Sequence, residues 1–497
     1  MKKERFKRGW GSASKSEFAS LMDKFQKSSD FTTFKLYDQS PFIISYYTTL
    51  IDKNALKTNI LDTLKEKEWT DIQEIKDALP VENIAITNRV ADIREKLVRG
   101  YILIYREGEK PECLLISAPN IQARQIEIPE VEYTVVGPKE SFVESLETNI
   151  TLVRKRLPIP EFQIQSIMVG DLTKTQVYVA YIEGITSEEN VNTVIQRISD
   201  IQYDQIIDSS FISQMIADNP HSPFPSLVYT ERPDRVASGM SEGKVAIFVD
   251  GSPSALLGPT NLTEFFSASE DYFLTWGLGS VFRLIRLLSI IFSVLATPLY
   301  VAVLTYHYEV IPQDVLTALF ASRSGIPFPP IMEAILLEVT IELLREAGAR
   351  LPTKVGQTIG IVGGIVIGTA AVQAGVTSNV LLIIVALCAL ASFTTPIYQV
   401  GNAIRLIRFP FLLSAALLGF LGVTLCLAVL IAHLLKMSSL GCPYLAPVYP
   451  VHLKDLKDAF IRLPFDVQKT RPTELRASNS FKYRPKPTPE GNKDIDE

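Results

Sequence analysis

Cysteine is scarce. Four occur in 497 residues, Cys113, Cys388, Cys426 and Cys442, far apart and never in a CxxC pair. That spacing argues against a disulfide scaffold or a zinc ribbon and fits buried free thiols. Histidine is as thin: His221, His307, His433 and His452 are scattered, so the sequence shows no metal site and asks for no cofactor. P-loop, GxGxxG, GxSxG and HExxH patterns are missing, which leaves nucleotide-dependent, serine-hydrolase and metalloprotease chemistry without a foothold. A net charge of -5 gives no electrostatic footprint for nucleic acid. No long apolar run precedes Leu287, and the basic start MKKERFKRGW lacks the apolar segment of a secretory signal. The region before Leu287 is therefore expected to stay in the cytoplasm.

What is present is segregated. Mean hydropathy is positive at +0.18, yet 21% of residues are charged, which fits a polar part followed by a membrane part. The fold class expected is an α/β cytoplasmic N-terminal region of two lobes plus a polytopic α-helical membrane domain. Residues 1–35 read as a mobile polar leader and 36–137 as the first α/β lobe. In that lobe Ala55–Lys67 and Ile84–Leu97 have helical periodicity, and Tyr101–Tyr105 and Cys113–Ser117 flank the turn-like EGEKPE as a hairpin. Residues 138–160 read as a connecting amphipathic helix, striped by Phe142, Leu146, Ile150 and Val153 and ended by Pro158 and Pro160. Residues 161–282 form the second lobe and lead-in. Its expected strands are Phe162–Val169, Thr175–Ile182, Leu227–Thr230 and Lys244–Val249. Its expected helices are Glu188–Ile198 and Ser209–Ile216, the latter capped by Asp208. Two clusters imitate sites, Ser222–Asp234 and Phe248–Pro259. Both read better as a loop with a helix start and as a turn.

Residues 283–435 read as a membrane domain of four to five spans. Leu287–Tyr306, Val355–Ala374, Ser378–Thr395 and Phe409–His433 are the apolar stretches, and Pro298 should kink the first. Ile331–Leu344 is the doubtful one, because it lies in a segment with Glu333, Glu338, Glu342 and Glu346. Acids at membrane depth are costly and face protein or water. Helical spacing puts Glu338, Glu342 and Arg345 on one face and Glu333 on another, so Glu338 and Glu342 are the pore-lining candidates. Arg345, Glu346 and Arg350 are candidates for holding or coupling the helix end. If this helix crosses, Arg345, Arg350 and Lys354 fall on the side of Arg283, Arg286, Arg405 and Arg408, as a positive-inside bias prefers, for five crossings or a deep re-entrant helix. The tail then lies outside. Gly360, Gly364 and Gly368 form overlapping GxxxG pairs suited to helix packing, within one chain or between subunits. Residues 436–497 form the tail, disordered after about 472.

The stretches VVGPKESFVESLETNITLVRKRL, SPFPSLVYTERPD, EGKVAIFVDGSP, SEDYFLTWGLGSVFRLIR, IPFPPIMEAILLEVTIELLREAGARLP, GQTIGIVGGIVIGTAAVQAGV and LIRFP occur in this order. In them the chain resembles the A subunits of GerA-type spore germinant receptors. It departs from that family's pattern at Val136-Gly137-Pro138, at Pro225-Ser226 and at His307-Tyr308-Glu309. The resemblance implies a multi-pass protein of the spore inner membrane with a cytoplasmic N-terminal region. It implies a ring-like homo-oligomer that conducts monovalent cations when nutrient is sensed, beside a transporter-like B subunit and a C subunit lipoprotein. The absence of a nucleophile–base grouping, a metal cluster or a phosphate loop argues against an enzyme. Rings of Glu338 and Glu342 around a symmetry axis would favour cations. The competing readings are a secondary transporter, a non-conducting signalling subunit and a membrane-tethered enzyme. The first would need a midplane site, near the broken segment Pro327–Pro330.

Overall fold

The computed structural model describes residues 12–37, 40–65, 68–81, 83–106, 112–120, 129, 132, 134, 136–351 and 353–482. The chain forms two compact units. One comprises Met1–Ala217, Leu227–Pro259 and Phe465–Glu497, the other Asp218–Ser226 and Thr260–Pro464.

The first unit holds two five-stranded sheets. In lobe 1, α1 (Ser12–Gln26), β1 (Phe31–Lys35) and β2 (Phe42–Tyr47) precede an interrupted helix. That helix consists of α2 (Lys53–Ala55), a π-type turn Leu56–Leu61 and α3 (Asp62–Leu64). α4 (Ile72–Ala78), β3 (Ile84–Thr87), α5 (Val90–Leu97), β4 (Tyr101–Arg106) and β5 (Cys113–Ser117) complete it. Lobe 2 repeats the series with α6 (Leu146–Arg156), β6 (Phe162–Val169), β7 (Thr175–Ile182), α7 (Glu188–Ser199) and α8 (Ser209–Met215). It ends with β8 (Val228–Thr230), α9 (Pro233–Glu242), β9 (Val245–Val249) and β10 (Ala255–Gly258). The strand orders are β1-β2-β4-β5-β3 and β6-β7-β9-β10-β8. Each sheet therefore places its first, second, fourth, fifth and third strand side by side.

Register makes the repeat residue-specific. Thr87 faces Cys113 and Tyr105 faces Cys113 in lobe 1, while Thr230 and Phe248 both face Ala255 in lobe 2. The strand-to-helix junctions match too. The Arg89 N–H donates to Thr87 Oγ1 and the Arg232 N–H to Thr230 Oγ1, each at 3.1 Å. Both glycines that follow the next helix have positive φ, Gly100 at 86° and Gly243 at 111°. Every named strand pair in these sheets is antiparallel. The α/β expectation is thereby refined, since antiparallel pairs, some between non-consecutive strands, build the sheets.

Apolar burial on both faces holds lobe 1. Phe42, Ile44, Ile102, Ile104, Leu114 and Ile116 pack with Leu64, Trp69 and Ile75, while Leu103, Cys113 and Leu115 pack with Phe25, Ile93 and Leu97. Cys113 is a buried thiol outside any disulfide, its pKa pushed up to about 12 by its removal from water. Between the lobes, Arg154 on α6 is 1% exposed. It holds Asp30 through Nη2 at 2.6 Å and Nε at 2.9 Å, and lies over the Tyr47 and Phe162 rings.

Several expectations change. Ser12–Lys35 is not a mobile leader: α1 and β1 are folded, because Phe18, Leu21, Phe25 and Phe31 are buried. Residues 1–11 and the EGEKP turn lie outside the described residues. Ile84–Leu97 is a strand and a helix, because Ile84–Thr87 pairs with β5. The connecting helix begins at Leu146, where Ser145 accepts from the Thr148 N–H. Residues 473–482, expected to be disordered, pack on lobe 2. The chain leaves this unit at Pro259 and rejoins it at Phe465.

The second unit is helical. It comprises α10 (Trp276–Tyr306), α11 (Gln313–Arg323), α12 (Pro330–Ala349), α13 (Thr353–Gln373), α14 (Asn379–Ser392), α15 (Tyr398–Leu418) and α16 (Phe420–Lys436). A two-stranded ribbon, β11 (Ser438–Ser439) with β12 (Cys442–Pro443), and α17 (Leu453–Phe460) follow. By length and composition α10 and α15 can cross a membrane, while Gly363–Gln373, α14 and α16 are shorter apolar helices. Phe409–His433 is not one helix. It divides at Gly419, whose φ of 64° ends α15 and starts α16. The loop Asp218–Ser226 belongs here: Tyr444 OH donates to the Pro225 carbonyl at 3.0 Å, and Ser222 Oγ lies 2.9 Å from His433 Nε2.

Candidate functional site

The acids of α12 occupy three different environments. Its buried positions are Pro330, Glu333, Ala334, Leu337 and Glu338. Ala334 and Leu337 join Val301, Leu381, Val385 and Leu412 in an apolar core. α12 contacts α10, α13, α14 and α15, so its buried arc is wider than one stripe, and both Glu333 and Glu338 fall inside it.

Glu338 is 5% exposed. Its Oε2 accepts from Arg408 Nη1 at 2.5 Å and its Oε1 from Thr297 Oγ1 at 3.2 Å. Arg408 Nη2 donates to Ser293 Oγ at 2.6 Å, and Cys388 Sγ lies 3.5 Å from Thr297 Oγ1. One ion pair thus ties α12 to α15, with polar contacts from α10 and α14. Breaking such a pair by removing one partner leaves a buried charge uncompensated.

Glu333 is 1% exposed. It accepts from Arg323 Nη2 at 2.8 Å and from the Ser378 N–H at 3.1 Å, at the start of α14. It is a second buried acid rather than a bystander. Glu342 keeps 45% of its side chain accessible, with Arg345 Nη1 and Arg405 Nε each at 3.4 Å. Arg345 also donates to Ser392 Oγ and lies over the Phe393 ring. Glu346 and Arg350 pair at 2.5 Å on the exposed helix end.

Glu338 and Glu342 therefore lie one turn apart but do different things. Glu338 is neutralised inside the bundle, which corrects its placement on a water-facing stripe, and Glu342 is open. Arg408 and Glu333 were missed as site residues. Arg408 read as a flanking positive charge, and its partner is 70 positions earlier.

The glycines of α13 also differ. Gly360 lies in the helix, and its surroundings are outside the described residues. A Cβ at Gly364 would meet nothing within 4 Å, and one at Gly368 would make ordinary contact with Leu382 at 3.6 Å. The close approach is at Gly363, where a Cβ would lie 2.9 Å from Leu344 Cδ2.

The other clusters are structural. Arg232, 1% exposed, holds Asp234 at 2.7 Å, and Arg235 holds Glu132 at 2.6 Å. Asp250 lies in an exposed turn. Among the described residues no group of three or more His, Cys, Asp and Glu is arranged to hold a metal ion.

The family model for Bacillus/Clostridium GerA spore germination proteins matches residues 19–474. The chain belongs to the GerA family of spore germination proteins. As a member it is a germinant-receptor A subunit acting in spore germination. The chain is 52% identical to Spore germination protein GerQA of Bacillus cereus over 94% of this chain and 93% of that one. It is 45% identical to Spore germination protein GerIA of the same organism, over 92% of this chain and 69% of that one. It is 36% identical to Spore germination protein KA of Bacillus subtilis, over 93% and 87%. The crystal structure of the N-terminal domain of the A subunit of the Bacillus megaterium spore germinant receptor GerK3 is also similar. It covers 49% of this GerA-family chain and 94% of its own, at 28% identity and a TM-score of 0.37.

Proposed function

We propose that this A subunit crosses the spore inner membrane through its helical unit, assembles as a homo-oligomer and conducts cations when nutrient is sensed. Its partners in this reading are a transporter-like B subunit, a C subunit lipoprotein and membrane lipid. The observation that carries it is the pairing of a locked acid with an open one on α12. Glu338 is closed against Arg408, while Glu342, one turn on, keeps nearly half of its side chain accessible. Copies arranged around an axis would bring the exposed Glu342 carboxylates together in front of Arg345 and Arg405, and a ring in which the acids face the axis would select cations. The open face of α13 around Gly364, Ile365 and Val366 gives neighbouring helices room to approach.

In this reading Pro259 and Phe465, where the chain leaves and rejoins the α/β unit, lie on the same side of the membrane, which calls for an even number of crossings. The positive charges Arg283 and Arg286 at the start of α10, both within 3.3 Å of buried Asp271, support a cytoplasmic placement of that side.

The test is ion flux through reconstituted oligomers. Glu342→Gln should lower cation-over-anion selectivity severalfold while leaving assembly intact. Glu338→Gln should instead reduce the yield of folded protein, because Arg408 is left buried without its charge partner. Unchanged selectivity in a well-assembled Glu342→Gln variant would remove the pore assignment and leave the receptor role standing.

A further inference from the structure

The two lobes differ at one equivalent place. In lobe 1 the chain leaving β5 stays on the lobe. The Asn120 N–H donates to the Leu50 carbonyl at 2.8 Å, and Pro119 lies against Gly100, where a Cβ would be 3.0 Å from its Cα. Leu50 in lobe 1 corresponds to Ile185 in lobe 2, since Ile44 faces Ile104 as Val179 faces Ile247 and each lies six residues earlier. Gly100 likewise corresponds to Gly243.

In lobe 2 the chain leaving β10 passes at Thr260 into the helical unit, so it does not supply these contacts. The C-terminal segment does. The Ser478 N–H donates to the Ile185 carbonyl at 2.9 Å, and Ala477 Cβ lies 3.2 Å from the position a Cβ would take at Gly243. Ala477-Ser478 thus stands where lobe 1 has Pro119-Asn120. More than 200 residues of chain separate it from the end of β10.

The segment is held mainly by polar contacts. Arg471 Nε donates to the Ser241 carbonyl at 2.8 Å, and Asn190 Nδ2 donates to the Leu475 carbonyl at 3.3 Å. Arg476 pairs with Glu189 and Lys482 with Glu242, each at 2.7 Å. Leu475, 3% exposed, is its one deeply buried large apolar side chain. Within itself the segment closes as a loop: Thr470 bridges Phe481, and Arg471 donates to the carbonyls of Asn479 and Phe481. A prefolded loop with one apolar anchor and carbonyl-directed hydrogen bonds can leave and return as a body.

We propose that lobe 2 carries a peptide-docking groove, formed by Ile185, Asn190, Ser241 and Gly243, and that residues 470–481 are its releasable occupant. Through this strap the end of the helical unit is coupled to lobe 2. The groove takes a looped peptide whose buried Leu ends a short helical turn and is followed by Arg-Ala-Ser, with basic side chains meeting Glu189 and Glu242. This does not depend on the ion-channel reading, because both partners lie in the α/β unit.

The experiment uses the full chain in its receptor complex and a fluorescent peptide of residues 469–482. Leu475→Asp should empty the groove. The peptide should then bind the variant at least tenfold more tightly than the wild-type chain, whose tethered strap competes at high effective concentration. A peptide carrying the same Leu475→Asp change should not bind. Equal binding to both chains, or none to a variant whose β6–β10 amides exchange as in the wild type, overturns the groove. Should Leu475→Asp fold poorly, Arg471→Ala with Arg476→Glu weakens the same strap without placing a charge in the core. Spores carrying either variant should germinate at least tenfold more slowly in nutrient, and wild-type kinetics in a variant that binds the peptide would overturn the coupling.

Discussion

Lobes 1 and 2 share strand order and register at β2–β4, β3–β5 and β4–β5, yet they differ in what finishes them. Lobe 1 covers its Leu50 carbonyl and Gly100 with the next residues of its own chain. Lobe 2 borrows Ala477 and Ser478 from beyond the helical unit. The helical unit borrows in return, since Asp218–Ser226 sits in it although the sequence on both sides of that loop belongs to lobe 2. Local contacts complete lobe 1, and contacts of long sequence separation complete lobe 2.

The largest way to break this comparison is at the joint shared by both lobes. Arg154→Ala leaves Asp30 buried and unpaired and should cost about 3–5 kcal/mol. Denaturant unfolding followed through buried Trp69 should show it, and Arg154→Met with Asp30→Leu should recover most of the loss. Next comes the paired glycine test. Gly100→Ala forces a positive φ on a side chain and sets its Cβ 2.7 Å from the Leu50 carbonyl, so about 2–4 kcal/mol should be lost. Gly243→Ala meets the movable Ala477 at 3.2 Å and should cost about 1–2 kcal/mol, mostly backbone strain. Equal losses would mean that the strap is as fixed as lobe 1's own chain.

A smaller contrast concerns helix caps. Asp208 accepts from the Ser210 N–H at the start of α8, whereas Asp71, at the start of α4, makes no side-chain cap bond. Asp208→Ala should cost about 1 kcal/mol and Asp71→Ala less. Burial works to raise the Asp208 pKa, but hydrogen bonds from Ser252 and Ser210 outweigh it and hold the carboxyl below its ordinary value. Its folded value being lowered, its stabilisation is present above the ordinary carboxylate pKa and is lost as pH falls through the folded value. Acid unfolding of Asp208→Asn should therefore depend less on pH. The smallest effect is a thiol test read by reactivity alone: Cys113 should resist alkylation at pH 8 while folded. A thiol introduced by Ala255→Cys, at the matching position of lobe 2, should resist it equally.

Much of the fold was legible where side-chain pattern and burial agree. Phe162–Val169 and Thr175–Ile182 were read to the residue, because β-branched and aromatic side chains mark a paired strand. Ile84–Leu97 was misread, because its apolar spacing is helical while Ile84–Thr87 also completes a sheet edge beside β5. Phe409–His433 looked like one span, since mean hydropathy does not register the turn that Gly419 makes. At the candidate site the sequence marked the acids of α12 but not their partners. Glu338 finds Arg408 on another helix, and Glu333 finds Arg323 and the start of α14. No local periodicity encodes such pairings.

By itself the sequence determined the family, the division into a polar and an apolar part and the run of acids on one helix. These rest on composition, order and local pattern, which survive without coordinates. Only the tertiary structure decided that the lobes share one strand order and register, that Glu338 is closed while Glu342 is more exposed, and that lobe 2 is finished by a segment from beyond the helical unit. Those outcomes depend on which distant groups meet. A buried charge or an open carbonyl takes whatever partner the fold delivers, however far away it lies in the chain.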